Sequence, residues 1–308
     1  MEQSKDKKAG KTREGMRRSI LRKIVFAGTF LSVFIVVSFV VAVACNNIAL
    51  WSDAVFARRL DLAISRAEEW VGEHRLEILK EKNAALLTML RECNDIRPNP
   101  VFGGIVTSFL NEPVTHHSRC WKHEVDPNWP VDRKELNMTI AEENIDNKWA
   151  LYAIAPNKAE VNPEKLGLFD NARWHRRQLT HQVFALTMLR SRHSTSNGHL
   201  DELIENLCER LRGDLNLNVT VVDIYIQRVA FVLRAGFPQK IRRRWVERII
   251  ANQQSDGGWN DRWLCFTTPR RKLVFGISEM PSDQHATVQA ITALYLVRYR
   301  YPEQFGLQ

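Results

Sequence analysis

The stretch RRWVERIIANQQSDGGW, Arg243 to Trp259, decides how this chain folds. Trp245 and Ile249 recur at helical spacing with Glu247 and Arg248 between them, so the stretch opens as an amphipathic helix. That helix ends at Gln253 or Gln254. Asp256-Gly257-Gly258 then turns the chain, since glycine accepts the positive φ of a helix stop. Trp259 can fold its ring back on the helix end. The sequence describes a corner between helices.

Outward from this corner the same spacing continues. Leu60, Ile64, Ala67 and Val71 line one helix, and Leu76, Leu79, Leu86 and Leu90 a second. Leu179, Val183, Leu186 and Leu189 mark another, followed by Leu200, Leu203, Leu207 and Leu211. Val222, Tyr225, Val229 and Leu233 precede the corner, and Val288, Ile291, Leu294 and Tyr295 follow it. Helices are expected in pairs, 60–72 with 76–92, 179–192 with 200–212 and 221–236 with 239–253, then one over 284–300. Strand-like alternation is nearly absent, which makes an all-α domain over 60–308. Seven of the eleven prolines fall between Cys93 and Gln178, with Trp121, Trp129 and Trp149, so about 93–178 reads as an ordered insertion of loops and short helices. A helix is expected at Val101–Leu110, and Thr139-Ile-Ala-Glu142 reads as a capping box opening another through Ile145, Trp149 and Tyr152.

The corner resembles the QW motif, a helix ending Q-x-x-D-G-G-W, of the terpenoid cyclase and protein prenyltransferase superfamily. Gln254, Asp256, Gly257, Gly258 and Trp259 carry it here. Asp283-Gln-His-Ala-Thr-Val-Gln-Ala-Ile-Thr-Ala-Leu294 is similar to the inner helix that follows such a turn. The resemblance implies an α/α toroid of paired helices. It implies neither reaction: the acidic D-x-D-D run of the cyclases is missing, and so is the D-x-C of the zinc prenyltransferases. Asp261 and Cys265 stand at another spacing, although His285 suits the zinc histidine. The fold alone carries over.

The N-terminus gives location. Ile24 to Ala44, IVFAGTFLSVFIVVSFVVAVA, holds no charge and as a helix spans about 30 Å, the thickness of a bilayer's hydrocarbon core. The net charge is +9, but residues 1–23 hold nine bases against three acids, whereas a nucleic-acid binder spreads positive charge over a folded face. The basic leader is a topology signal. By the positive-inside rule residues 1–23 form a cytoplasmic tail, 24–44 a single-pass signal anchor and 45–59 a linker, with the main domain extracytoplasmic. Cleavage after Ala42-Val43-Ala44, or lipidation of Cys45, would export the domain equally. Downstream, Cys93, Cys120, Cys208 and Cys265 allow three disulfide pairings or none.

Three presumed inner helices open with a polar residue at a comparable place: His181, Asp223 and His285. Converged at one mouth of a cavity, they could act as an acid/base set or ligate zinc, with Gln182, Tyr225 and Gln284 as ligand contacts. As plain surface residues they would cap helix ends. His116, His117, Cys120 and His123 form a second set, in which His117, Cys120 and His123 have spacing that suits a metal. Arg176-Arg177, Arg242-Arg243-Arg244 and Arg270-Arg271-Lys272 read as solvated faces. No G-x-S-x-G, HExxH, P-loop, dinucleotide glycine pattern or Cys-x-x-Cys occurs. Two functions remain: binding of an apolar or extended ligand in the toroid's cavity, or acid/base or metal-assisted chemistry on a lipid-like or peptide substrate.

Overall fold

The computed structural model describes residues 3–170, 176–193, 198–218, 220–260 and 281–307, without the side chains of 3–22, 24, 116, 117, 176, 177 and 193. Asp261, Cys265 and Arg270-Arg271-Lys272 lie outside the described residues, as do the side chains of His116, His117, Arg176 and Arg177.

The protein is all-helical, with no strand among the described residues. It divides into two compact units, Met1–Asn46 and Asn47–Gln308. Helix α1 (Gln3–Asn47) carries the apolar run, and its Val25–Asn47 is long and apolar enough to cross a membrane, at mean hydropathy 2.5. The second unit begins with α2 (Asp53–Glu73), α3 (Arg75–Glu81), α4 (Ala84–Ile96) and α5 (Pro100–Asn111). Next come α6 (His116–Val125), α7 (Arg133–Glu142), α8 (Ile145–Ile154) and α9 (Pro163–Leu166). The last are α10 (Arg176–His193), α11 (Gly198–Leu217), α12 (Asp223–Arg234), α13 (Arg243–Ala251) and α14 (Gln284–Tyr295).

Two kinds of helix alternate. In α2 the buried residues Phe56, Leu60, Ala63, Ile64, Ala67, Trp70 and Val71 form one stripe, and α11 shows the same pattern. Every residue of α14 from Ala286 to Tyr295 is buried, as is every residue of α12 from Tyr225 to Leu233. A stripe marks a helix with one face in water; burial all round marks an interior helix. α14 packs against α12, α4 and α2; α10 packs against α8, α12 and α11; α6 packs against α4, α8 and α7.

The corner after α13 works through its backbone. Trp259 is buried and its Nε1–H donates to the Ile249 carbonyl at 2.7 Å, closing the ring back on the helix end. The Trp259 N–H donates to Thr287 Oγ1 at 2.9 Å, which ties the corner to α14. Asp256 accepts from the Gly258 N–H at 3.0 Å, from Ser282 Oγ at 2.7 Å and from Trp70 Nε1 at 3.3 Å, which ties it to α2. Gly257 has φ +96°, and a Cβ there would sit 2.6 Å from the Arg66 carbonyl oxygen. The bridging glutamine is Gln253, whose Nε2 donates to the carbonyls of Ala63 and Gly257, each at 2.8 Å. Gln254, assigned to the motif from sequence, turns its side chain to the Asn252 carbonyl at the surface instead. Upstream, buried Glu247 accepts from the backbone N–H of Leu50 at 2.9 Å and of Trp51 at 3.3 Å, fixing the start of the unit onto α13.

Some expectations change. Thr139 lies inside α7, where its hydroxyl donates to the Glu135 carbonyl at 2.9 Å, so no capping box starts there. The next helix begins five residues later in the chain, at Asn144, whose side chain accepts from the Asn147 N–H at 3.0 Å. In the proline-rich stretch, α5 to α8 contribute Phe102, Ile105, Cys120, Leu136 and Trp149 to the hydrophobic core of the described residues. Cys93, Cys120 and Cys208 are free and buried, and burial pushes the Cys93 and Cys208 thiols up to about 12.

Trp259→Ala should cost about 3–5 kcal/mol and Asp256→Ala about 1–3 kcal/mol, since the first empties a buried indole site and the second orphans three donors. Urea unfolding of the full chain followed by circular dichroism checks this. An unchanged midpoint in either variant would refute the corner's role.

Candidate functional site

Asp283 opens α14 by accepting from the Ala286 N–H at 3.0 Å, which sets the first turn and the place of His285. Asp223 is the first residue of α12, where the helix N-terminus favours its negative charge. Because α12 and α14 pack together, the two side chains meet: His285 Nδ1 lies 2.8 Å from Asp223 Oδ1. A carboxylate only accepts, so the hydrogen belongs on Nδ1. Gln289, one turn on from His285, donates its Nε2–H to His285 Nε2 at 3.0 Å.

His285 and His181 line the same cavity, of about 470 Å³, a volume in the range of small-molecule sites. Each of α4, α6, α8, α10, α12 and α14 contributes, through Leu86 and Met89, Trp121 and Glu124, Asp146 and Ala150, His181 and Phe184, Gln227 and Phe231, and His285 and Gln289. These pairs stand three or four residues apart, the spacing of one helix face. Thr180 holds Gln227 in place by donating to its Oε1 at 2.5 Å.

The two imidazoles are pushed in opposite directions. Burial lowers the His181 pKa, and the nearby His285 adds to this against the weaker pull of Asp146 and Asp223. Burial also works against a charged His285, but the hydrogen bond and charge of Asp223, with Asp283 and Glu81, outweigh it and raise the pKa above 6.5. The His181 pKa thus falls below that of a free imidazole and the His285 pKa rises above it. One suits a base and the other an acid.

The structure thus brings His181, Asp223 and His285 to one place. The ligand contacts read from sequence lie elsewhere. Gln182 donates to the carbonyls of Leu168 at 2.6 Å and Asp170 at 3.1 Å, fixing the chain after α9. Tyr225 is fully buried beneath Arg248, and Gln284 reaches Glu77 at 3.4 Å. None of the three lines the cavity. In the second histidine set, Cys120 packs on Thr139, and both ring nitrogens of His123 meet carbonyl oxygens, of Trp129 and Ile154. Among the described residues no group of three or more His, Cys, Asp or Glu is arranged to hold a metal ion.

Sequence reasoning missed Glu124. It is buried on the cavity wall, its Oε1 has no hydrogen-bond partner, and burial pushes its pKa up to about 7 despite the charges of Arg192 and Arg234. Comparison with protein-family models, with curated proteins and with solved structures finds no match for this chain.

Imidazole titration by NMR should place His285 above 6.5 and His181 below it. Asp223→Asn should bring His285 down while His181 moves little. The Asp223–His285 bond then adds to stability below about pH 6.5, and that contribution fades as pH rises past the folded value of His285. An unmoved His285 in Asp223→Asn would contradict the assignment.

Proposed function

We propose that this chain is a membrane-anchored α/α toroid whose extracytoplasmic domain binds an apolar or extended ligand in its central cavity and transfers a proton on it. The toroid reading is supported by the order of packing. α4, α6, α8, α10, α12 and α14 touch in sequence, and α14 touches α4. α5, α7, α11 and α13 each pack outside a neighbouring pair. The corner at Asp256–Trp259, similar to the QW turn, joins the outer α13 to the inner α14. The location reading rests on the apolar Val25–Asn47 and the basic residues before it.

One observation carries the chemical reading: the Asp223–His285 bond on the wall of a cavity shared with His181. An imidazole whose pKa is lowered and one whose pKa is raised, facing the same space, suit a base and an acid. His181 takes a proton from the ligand at one ring nitrogen. His285 gives one from Nε2, while Asp223 holds the imidazolium through Nδ1–H. Gln289 gives way from Nε2 for that transfer. Phe184, Phe231, Met89 and Trp121 supply the apolar part of the cavity wall.

Incubating the full chain in nanodiscs with lipid and peptide extracts tests this. At least one component should be converted, and His181→Gln and His285→Gln should each slow its conversion by about 10²–10⁴-fold. Ala150→Trp, which fills the cavity, should abolish it. Conversion that survives all three substitutions would place the chemistry elsewhere.

A further inference from the structure

The cavity's lining is rich in carboxylates. Glu81, Glu112, Glu124, Glu143 and Asp146 line it, and its one lysine, Lys82, is bound by Glu112 at 2.7 Å. The helix ends facing the cavity do not offset this charge, because Asn83, Thr115, Asn144 and Asp283 already accept from the first-turn N–H groups of α4, α6, α8 and α14. A group of carboxylates alone is no site. Here the wall also holds two fully buried side chains with an acceptor that has no donor: Glu124 Oε1 and Gln289 Oε1. Leaving a buried acceptor unpaired costs about 1–3 kcal/mol, more when it is charged. The nearest guanidinium, Arg192, does not answer Glu124. It donates to backbone carbonyls, of His123 at 2.9 Å and of Glu124 itself. Arg234 is engaged twice by Glu92, at 2.6 and 2.7 Å.

We infer that the cavity is built for a ligand carrying a cationic nitrogen, an ammonium or guanidinium, joined to an apolar segment. The cation supplies only donors, which is what Glu124, Asp146 and Gln289 lack. Its charge meets the carboxylates, and its apolar part lies on Trp121, Phe109, Phe184 and Phe231, whose faces attract a cation as well. Glu124 is about half protonated near neutrality, so an arriving cation ionises it and a proton leaves to solvent. The inference rests on the reading of this cavity as a ligand site and does not depend on proton transfer by His285.

Calorimetric titration of the full chain in nanodiscs, with empty nanodiscs as the blank, separates these claims. Phenethylamine, phenethyl alcohol and phenylacetate serve as cationic, neutral and anionic probes of one shape at about pH 7. The amine should bind about tenfold tighter than the alcohol or more, and phenylacetate weakest. Its heat should vary with the ionisation enthalpy of the buffer, which reports proton release. Glu124→Gln should lose that release and most of the preference, and Asp146→Asn part of the preference. Equal affinity for amine and alcohol overturns this inference while leaving a ligand cavity. Retention of proton release in Glu124→Gln overturns the role of Glu124. No binding of any probe overturns the inference and the ligand cavity together.

Discussion

The packing of α14 against α4 joins residues 199 positions apart, with Cys93 Sγ lying 3.7 Å from Thr292 Oγ1 at the centre of the contact. The cavity depends on this junction. Leu86 and Met89 stand on α4, His285 and Gln289 on α14, and without the contact the two walls would open to solvent. Water would then screen the imidazoles and carboxylates, and the shifts that distinguish His181 from His285 would shrink. The junction is held from behind by the corner at Asp256–Trp259, which fixes where α14 begins through Thr287. Local backbone chemistry in one turn thus sets the electrostatics of a site on the neighbouring helices.

Within the cavity, one geometry gives two opposite results. Burial drives both imidazoles toward neutrality, and only His285 has a carboxylate in hydrogen-bond contact to reverse it. Glu124 is buried with its Oε1 unpaired, and its pKa rises to about 7 for the same reason. The three groups form a graded set: an imidazole with a lowered pKa, a carboxyl raised to about 7, and an imidazole with a raised pKa. A ligand that brings positive charge shifts that balance at once, which couples its recognition to the protonation of the wall.

The fold was legible where helices are long and capped by distinctive turns. Asp256-Gly257-Gly258-Trp259, and the periodicity of residues in α2, α10, α11, α12 and α14, lie openly in the sequence. The short α6 and α7 were hidden, because ten-residue helices rich in charge and proline-bounded turns show little period, and Glu124 was lost with α6. The helix through Ile145, Trp149 and Tyr152 was legible, but its start was read too early and Asp146 in its first turn was not singled out. Asp223 and His285, singled out for their shared place at helix starts, lie in hydrogen-bond contact. The ligand contacts were not, for a geometric reason: Gln182 and Gln284 adjoin the histidines in sequence, and adjacent helical residues point about 100° apart. Counting four residues on from His285 and from Asp223 reaches Gln289 and Gln227, which do line the cavity. Gln253 shows the same lesson at the corner, where one position separates a bridging amide from a surface one.

The central claim is that first and last interior helices meet and close the cavity, and a sulfur at position 292 tests it. In Thr292→Cys, oxidised as the full chain folds, the new thiol should join Cys93 in a disulfide. Intact-mass measurement should then show the loss of two hydrogens, with neither sulfur open to alkylation even in urea. Both thiols remaining free and alkylated after oxidative folding would mean that α4 and α14 do not meet, and the cavity described here would not exist.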